Sequence, residues 1–179
     1  MKKIFVLAFL GMFLAAGQAM ASEPIQLSLT PEIAVHDRST RIEGLSLSIW
    51  GENPQTSLAL GFFNGFTGTS NGFALGFFLN YSDSYKGVQW GGVNYLQGSM
   101  FGWQAGIVDY VEGSMMGLQT GFVNYAGHLK GVQFGLVNYV DSATTGVQIG
   151  LVNLMPQNQW FKGFPDELAK GMILVNWRF

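Results

Sequence analysis

An eight-residue phrase that recurs at a nearly fixed interval constrains this chain more than any other feature. Gly-Val-Gln-Trp-Gly-Gly-Val-Asn, from Gly87 to Asn94, returns with small variations at Gly102 to Asp109, Gly117 to Asn124, Gly131 to Asn138 and Gly146 to Asn153. The leading glycines are separated by 15, 15, 14 and 15 residues. Two earlier units, Leu58 to Asn64 and Gly72 to Asn80, carry the period backwards, since Gly61, Gly76 and Gly91 are also 15 apart. A period held over seven units implies one structural element, copied and leaning on its neighbours.

Each unit contains Gly-x-x-x-Gly, which in a long apolar helix marks close helix packing. Here turn-forming sequence interrupts every unit after about 9 residues, and valine and aromatics dominate, so strands of 8 to 10 residues joined by short connections fit better. Alternate side chains of a strand point to opposite faces. One face carries Val88, Trp90 and Asn94; Trp103, Ala105 and Ile107; Leu118, Thr120 and Phe122; Val132, Phe134 and Leu136; and Val147, Ile149 and Leu151. The other repeats Gln, Gly, Val, Tyr, as at Gln89, Gly91, Val93 and Tyr95. Between Ser57 and Asn153 there are six charged residues (Asp83, Lys86, Asp109, Glu112, Lys130, Asp141), and all but Asp109 fall in connections.

The expected fold is all-β: a small up-and-down antiparallel barrel built from ~15-residue strand-turn units, each tilted strand long enough to cross a bilayer. Strands near 25–34, 41–50, 56–64, 72–81, 87–95, 102–110, 117–125, 131–139, 146–154 and 170–179 make ten, an even number that such barrels use. The bulky apolar face would then meet lipid, and Gln89, Gln104, Gln119, Gln133 and Gln148 would line a narrow interior. The reverse orientation puts five amides into hydrocarbon at about 2 to 7 kcal/mol each. Tyr81, Tyr95, Tyr110, Tyr125 and Tyr139 end successive strands, where a membrane border or strand-end packing would suit them. The alternative is a β-solenoid, one unit per coil, because every unit resembles its immediate neighbour and Asn64, Asn80, Asn94, Asn124, Asn138 and Asn153 could stack as a ladder.

The ends read differently from the repeats. Lys2 and Lys3, an apolar run from Ile4 to Ala16 and the small residues Ala19 and Ala21 form a signal peptide over 1–21, leaving 22–179 as a single β domain whose clearest repeats occupy 57–153. The insertion from Gln157 to Lys170, with Trp160, Phe161, Phe164, Asp166 and Glu167, reads as a loop or cap. The final strand, 170–179, places Ile173, Val175, Trp177 and Phe179 at alternate positions. It resembles the C-terminal strand of outer-membrane barrel proteins, and that resemblance implies recognition by barrel-assembly machinery and contact with outer-membrane lipid. The Gly-x-Gln-x-Gly-x-Val-Asn phrase is similar to the units of bacterial surface-repeat proteins of the leptospiral type, which implies envelope or surface placement and no catalytic assignment. This chain departs from the lipoprotein members in having no cysteine.

Composition narrows function further. Without Lys2 and Lys3 there are 7 basic and 11 acidic residues, a net charge of −4, which argues against a nucleic-acid partner. No cysteine means no disulfide, thiolate metal site or thiol nucleophile. His36 and His128, the two histidines, stand on separate connections without ligand partners at metal spacing. Asp109, the acid in the Asn position, reads as a strand-end hydrogen-bonding group. No catalytic residue, cofactor or metal is expected, and any small ligand or protein partner is unknown. The expected role is that of a non-enzymatic outer-membrane barrel or surface-repeat protein, structural or interactive, with a secreted or periplasmic solenoid binding module as the alternative.

Overall fold

The computed structural model describes residues 22–159 and 170–179. The signal segment 1–21 and most of the expected cap, including Trp160, Phe161, Phe164, Asp166 and Glu167, lie outside those residues. The extended elements are β1 (Ser22–Ser28), β2 (Arg41–Glu52), β3 (Thr56–Leu96), β4 (Met100–Ala105), β5 (Val108–Leu154) and β6 (Gly171–Arg178). They form one sheet in that order, with β3 also pairing with β5. No straight strand has 41 or 47 residues, the lengths of β3 and β5; both wind around an axis, laying each turn on the one before.

Pairing from β1 through β5 is parallel, and within the repeats partners are one period apart: Gln89 with Gln104, Asn94 with Asp109, Gln104 with Gln119. The chain is therefore a β-solenoid in which each repeat unit makes one turn. This overturns the antiparallel barrel of ten strands. Antiparallel neighbours run in opposite senses, so like residues cannot all meet like residues; in a parallel coil they do, and for that reason every unit copies its immediate neighbour. Segments such as 117–125 and 131–139 are arcs of β5 rather than separate strands.

The leading glycine sets how tightly turns stack. Gly72, Gly87, Gly102, Gly117 and Gly131 have φ between +116° and +148°. A Cβ on Gly102 would sit 2.0 Å from the carbonyl oxygen of Gly87, so both backbone angle and spacing exclude a side chain there. Ser57, one period before Gly72, occupies the same position at φ 114° without glycine's freedom.

Inside the coil, two apolar rows run side by side. Leu96, Val111, Ala126 and Val140 form one, and Tyr85, Met100, Met115, Leu129 and Ala143 the other, all buried. Aliphatic residues recur here one per turn, so each turn buries its apolar pair only against its neighbours. Both ends of the stack are blunted. At the start, Val35 donates to the Leu27 carbonyl, and the Gln26 side chain holds the backbone of His36 through both its amide oxygen and nitrogen. At the finish, β6 pairs antiparallel with the last turn, Val147 opposite Trp177 and Ile149 opposite Val175. Antiparallel segments at each end cover the parallel edges of the coil, on which another chain could otherwise continue the stack.

Candidate functional site

Two polar rows complete the interior. Gln89, Gln104, Gln119, Gln133 and Gln148 are fully buried. They lie within the coil's own cross-section, since there is no barrel lumen for them to line. Each donates its Nε2 to the Oε1 of the preceding glutamine, at 3.2, 3.0, 2.8 and 2.8 Å from Gln104 to Gln148. Gln119, Gln133 and Gln148 also donate to the carbonyls of Tyr125, Tyr139 and Leu154. The asparagine row runs the other way: Asn64 donates to Asn80, Asn80 to Asn94, Asn94 to Asp109, and later Asn124 to Asn138 and Asn138 to Asn153. The same amides donate to backbone carbonyls of the following turn, such as Ala105 for Asn94 and Phe134 for Asn124. Satisfied amides are tolerable in a core, whereas bare ones are not.

The asparagine row breaks once. Asp109 Oδ1 accepts from Asn94 at 2.6 Å, but Asp109 Oδ2 and Asn124 Oδ1 have no partner. Both oxygens crowd the same space beside Gly121. Burial pushes the Asp109 carboxyl from an ordinary 3.8 up to about 7, opposed by the hydrogen bond from Asn94 and, to a smaller extent, by the Thr120 backbone N–H. A carboxylic acid has a donor to offer Asn124; a carboxylate has none.

Outside, side chains are sorted by flank. Where the coil turns at Gly61, Gly76, Gly91, Gly106, Gly121, Gly135 and Gly150, the outward residues beside each glycine are apolar almost without exception. Phe77 is 67% exposed and Phe122 62%. Phe62, Phe63, Phe77 and Phe78 form a cluster of ring contacts at 4.8 to 5.9 Å, and Trp90 stacks on Trp103 at 6.3 Å. Further along, the flank holds a groove of about 610 Å³ lined by Gly121, Phe122, Phe134, Leu136, Leu151 and Leu174 among others. Thr120 supplies a polar atom there, and it already accepts from the Trp103 indole at 2.8 Å.

One border of this flank is a row of tyrosines. Tyr95, Tyr110, Tyr125 and Tyr139 stack with ring centroids 5.7, 4.4 and 5.6 Å apart. Three tyrosine hydroxyls reach acids: Tyr95 donates to Glu112, Tyr125 to Asp141 and, nearer the start, Tyr81 to Glu52. The Glu112 carboxylate raises the pKa of Tyr95 and the Asp141 carboxylate that of Tyr125; burial first, then Glu52, lifts Tyr81 to about 12. The other border carries Lys86, whose ammonium lies 5.5 Å from the Phe101 ring, and Lys130.

The histidines form no site together. His128 bonds Ser142 and Thr144 through its ring nitrogens, and Asp37, beside His36, gives its carbonyl to Asn53. Among the described residues no group of three or more His, Cys, Asp or Glu could hold a metal ion. At the C-terminal end Ile173, Val175 and Trp177 of β6 and Phe179 just past it are exposed, and Leu174 and Val175 make β6 continuous with the apolar flank, while Asn176 turns inward and accepts from Asn158. The sorting of flanks escaped the sequence reading because a two-faced strand has no corner: Phe62 and Phe63, adjacent in sequence, both point outward where the coil bends. Paired bulky residues immediately after the central glycine were the available signal. No family model, curated protein or solved structure matches the chain; what fold and site define is a class, a capped β-solenoid with one apolar flank.

Proposed function

We propose that this chain is an exported, non-enzymatic interaction module of the cell envelope, and that its apolar flank is the working surface. The observation that carries the reading is the segregation of outward side chains: aromatics and aliphatics at the glycine corners, and the surface charges of the repeats (Asp83, Lys86, Glu112, Lys130, Asp141) away from those corners. A monomer in water rarely keeps a contiguous apolar patch larger than about 300–600 Å² unless something covers it. Export rests on the signal-like residues 1–21. A hydrolase is disfavoured because the glutamine and asparagine side chains of the repeats stack in buried ladders, and even the unpartnered Asp109 Oδ2 and Asn124 Oδ1 lie in the interior.

The test is cell fractionation of the full chain and of a variant carrying Phe77→Ser, Phe122→Ser and Leu136→Ser, three exposed positions whose loss leaves the core intact. The parent is expected in the envelope fraction and the variant in the soluble fraction. Equal partition of the two removes the flank from the function.

A further inference from the structure

Resting on that reading, we infer that the partner of the apolar flank is the hydrocarbon boundary of a lipid surface, with the solenoid axis lying parallel to the membrane plane. Four observations select lipid over a protein partner.

First, the flank is long and nearly free of hydrogen-bonding groups. Seven turns at about 4.8 Å per step give roughly 30 Å of continuous surface. The outward corner positions from Leu60 to Val152 include one polar side chain, Thr120, already bonded to Trp103. A protein interface has about one hydrogen bond per 100–200 Å², and this surface has almost nothing with which to form them.

Second, the main chain along the corner of the repeats offers no edge for a peptide to extend. Gly106 donates to the Thr120 carbonyl, and Phe122 and Val123 both donate to the Ile107 carbonyl, so the main-chain groups at the corner are spent on turn-to-turn bonds. A peptide laid in the groove would leave its own amides unpaired. Acyl chains have none to lose.

Third, the borders are graded as an interface requires. The tyrosine row lies between apolar corner and carboxylates, with rings stacked and hydroxyls directed to Glu112 and Asp141. Such rings, apolar in body and wet at the tip, suit headgroup depth. On the opposite border the charged residues are cations, Lys86 and Lys130, whose stems can lie along apolar surface while the ammonium reaches phosphate.

Fourth, the flank continues past the repeats. Leu174 and Val175 of β6 line the same groove as Phe134 and Ile149. Leu174 has φ 72°, in the left-handed region, and is exposed rather than tucked into the core. A backbone held in that region to present an apolar side chain outward fits a role at the surface. Exposed Ile173 and Phe179 then belong to the docking face.

The mode is peripheral. Strands run around the axis, so the flank sinks to headgroup and upper acyl depth while the charged side stays in water, as an amphipathic helix does. Binding therefore persists in high salt, unlike binding through basic residues to anionic headgroups.

The experiment uses the chain from Ser22 to Phe179 and protein-free phosphatidylcholine vesicles floated through a density gradient. Phe77→Ser/Phe122→Ser/Leu136→Ser is compared with the parent and with Gln97→Ser, an exposed polar position outside the apolar corner, beyond the tyrosine row. Circular dichroism confirms that all three are folded. Expected are flotation of the parent and Gln97→Ser at low and high salt alike, and an at least tenfold lower vesicle partition for the triple variant. A parent that stays at the bottom of the gradient, or a triple variant that floats equally well, overturns the inference. A parent that fails to float yet sediments as a flank-dependent dimer, or is retained by isolated envelopes but not by pure lipid, also overturns it while leaving the interaction-module reading standing. If flank substitutions change none of these behaviours, both fall.

Discussion

Replacing Asp109 with asparagine tests how the interior is held together. In the native chain the asparagine row carries a carboxyl at one rung, fully buried, with one oxygen bonded to Asn94 and the other facing the unpartnered Asn124 Oδ1. Its pKa is raised by burial from 3.8 to about 7. The folded protein therefore retains a proton between about pH 4 and 7 that the unfolded chain has already released. Stability contributed by the neutral acid is complete below about pH 4 and falls as pH rises to about 7; beyond that the loss is constant. At about 1.36 kcal/mol for each pH unit across that window, the loss is on the order of 4 kcal/mol. Asp109→Asn has nothing to ionise and brings an amide donor to Asn124, worth about 1 kcal/mol. At about 2–4 °C per kcal/mol for a chain of this length, the variant should melt roughly 10 °C above the parent at about pH 8, and within a few degrees of it near pH 4 to 5. Thermal unfolding followed by far-ultraviolet circular dichroism across that range measures the difference, and comparison with the parent cancels the titration of the surface carboxylates. A difference that does not grow with pH, or a variant less stable at pH 8, refutes both the protonation of Asp109 and the ladder logic.

Three further outcomes follow from the same geometry. Ser57→Gly relieves a non-glycine residue at φ 114° and should stabilise the chain by about 1 kcal/mol in urea unfolding. Gln119→Leu strips the Gln104 Oε1 and the Tyr125 carbonyl of a buried donor. It should cost roughly 2–5 kcal/mol, against less than about 0.5 for Gln97→Leu at the surface. Deleting Gly102 to Met116 removes one whole turn and sets Gln119 over Gln89 and Asn124 over Asn94. The shortened chain should give the same parallel-sheet spectrum with its acid-to-neutral stability loss abolished, and misassembly would contradict the coil register.

Much of the fold was legible in the letters. Strands instead of helices, the 15-residue unit and the inward glutamines follow from alternation and period, and the possibility of an asparagine ladder was visible in Asn64 to Asn153. What misled was the strand-sized segment with a bulky and a small face, which is equally consistent with a barrel wall. The deciding information was the likeness of adjacent units, including the match of Gln89, Gln104 and Gln119 in parallel register. A second gap concerns the Val and Tyr positions that alternation grouped with Gln. Val93 and Tyr95 point outward because the coil bends between Gly91 and Asn94 and resets the alternation. No strand-based reading carries that bend, so the apolar flank, the tyrosine row and the acids bonded to it could not be separated. Phe179 illustrates the same limit: its alternation with Trp177 and Val175 is real, but pairing places that strand against the last turn of a coil instead of closing a cylinder.

The two amide rows run in opposite senses, glutamines donating toward the first turn and asparagines toward the last. An α-helix aligns its peptide dipoles and accumulates opposite partial charges at its ends. Here turns that carry both amides, such as that of Gln133 and Asn138, contribute one pointing each way, so the two rows offset one another along the axis. A stack wired in this fashion can gain or shed turns without charging its tips, which leaves length free to be set by whatever surface the flank must span.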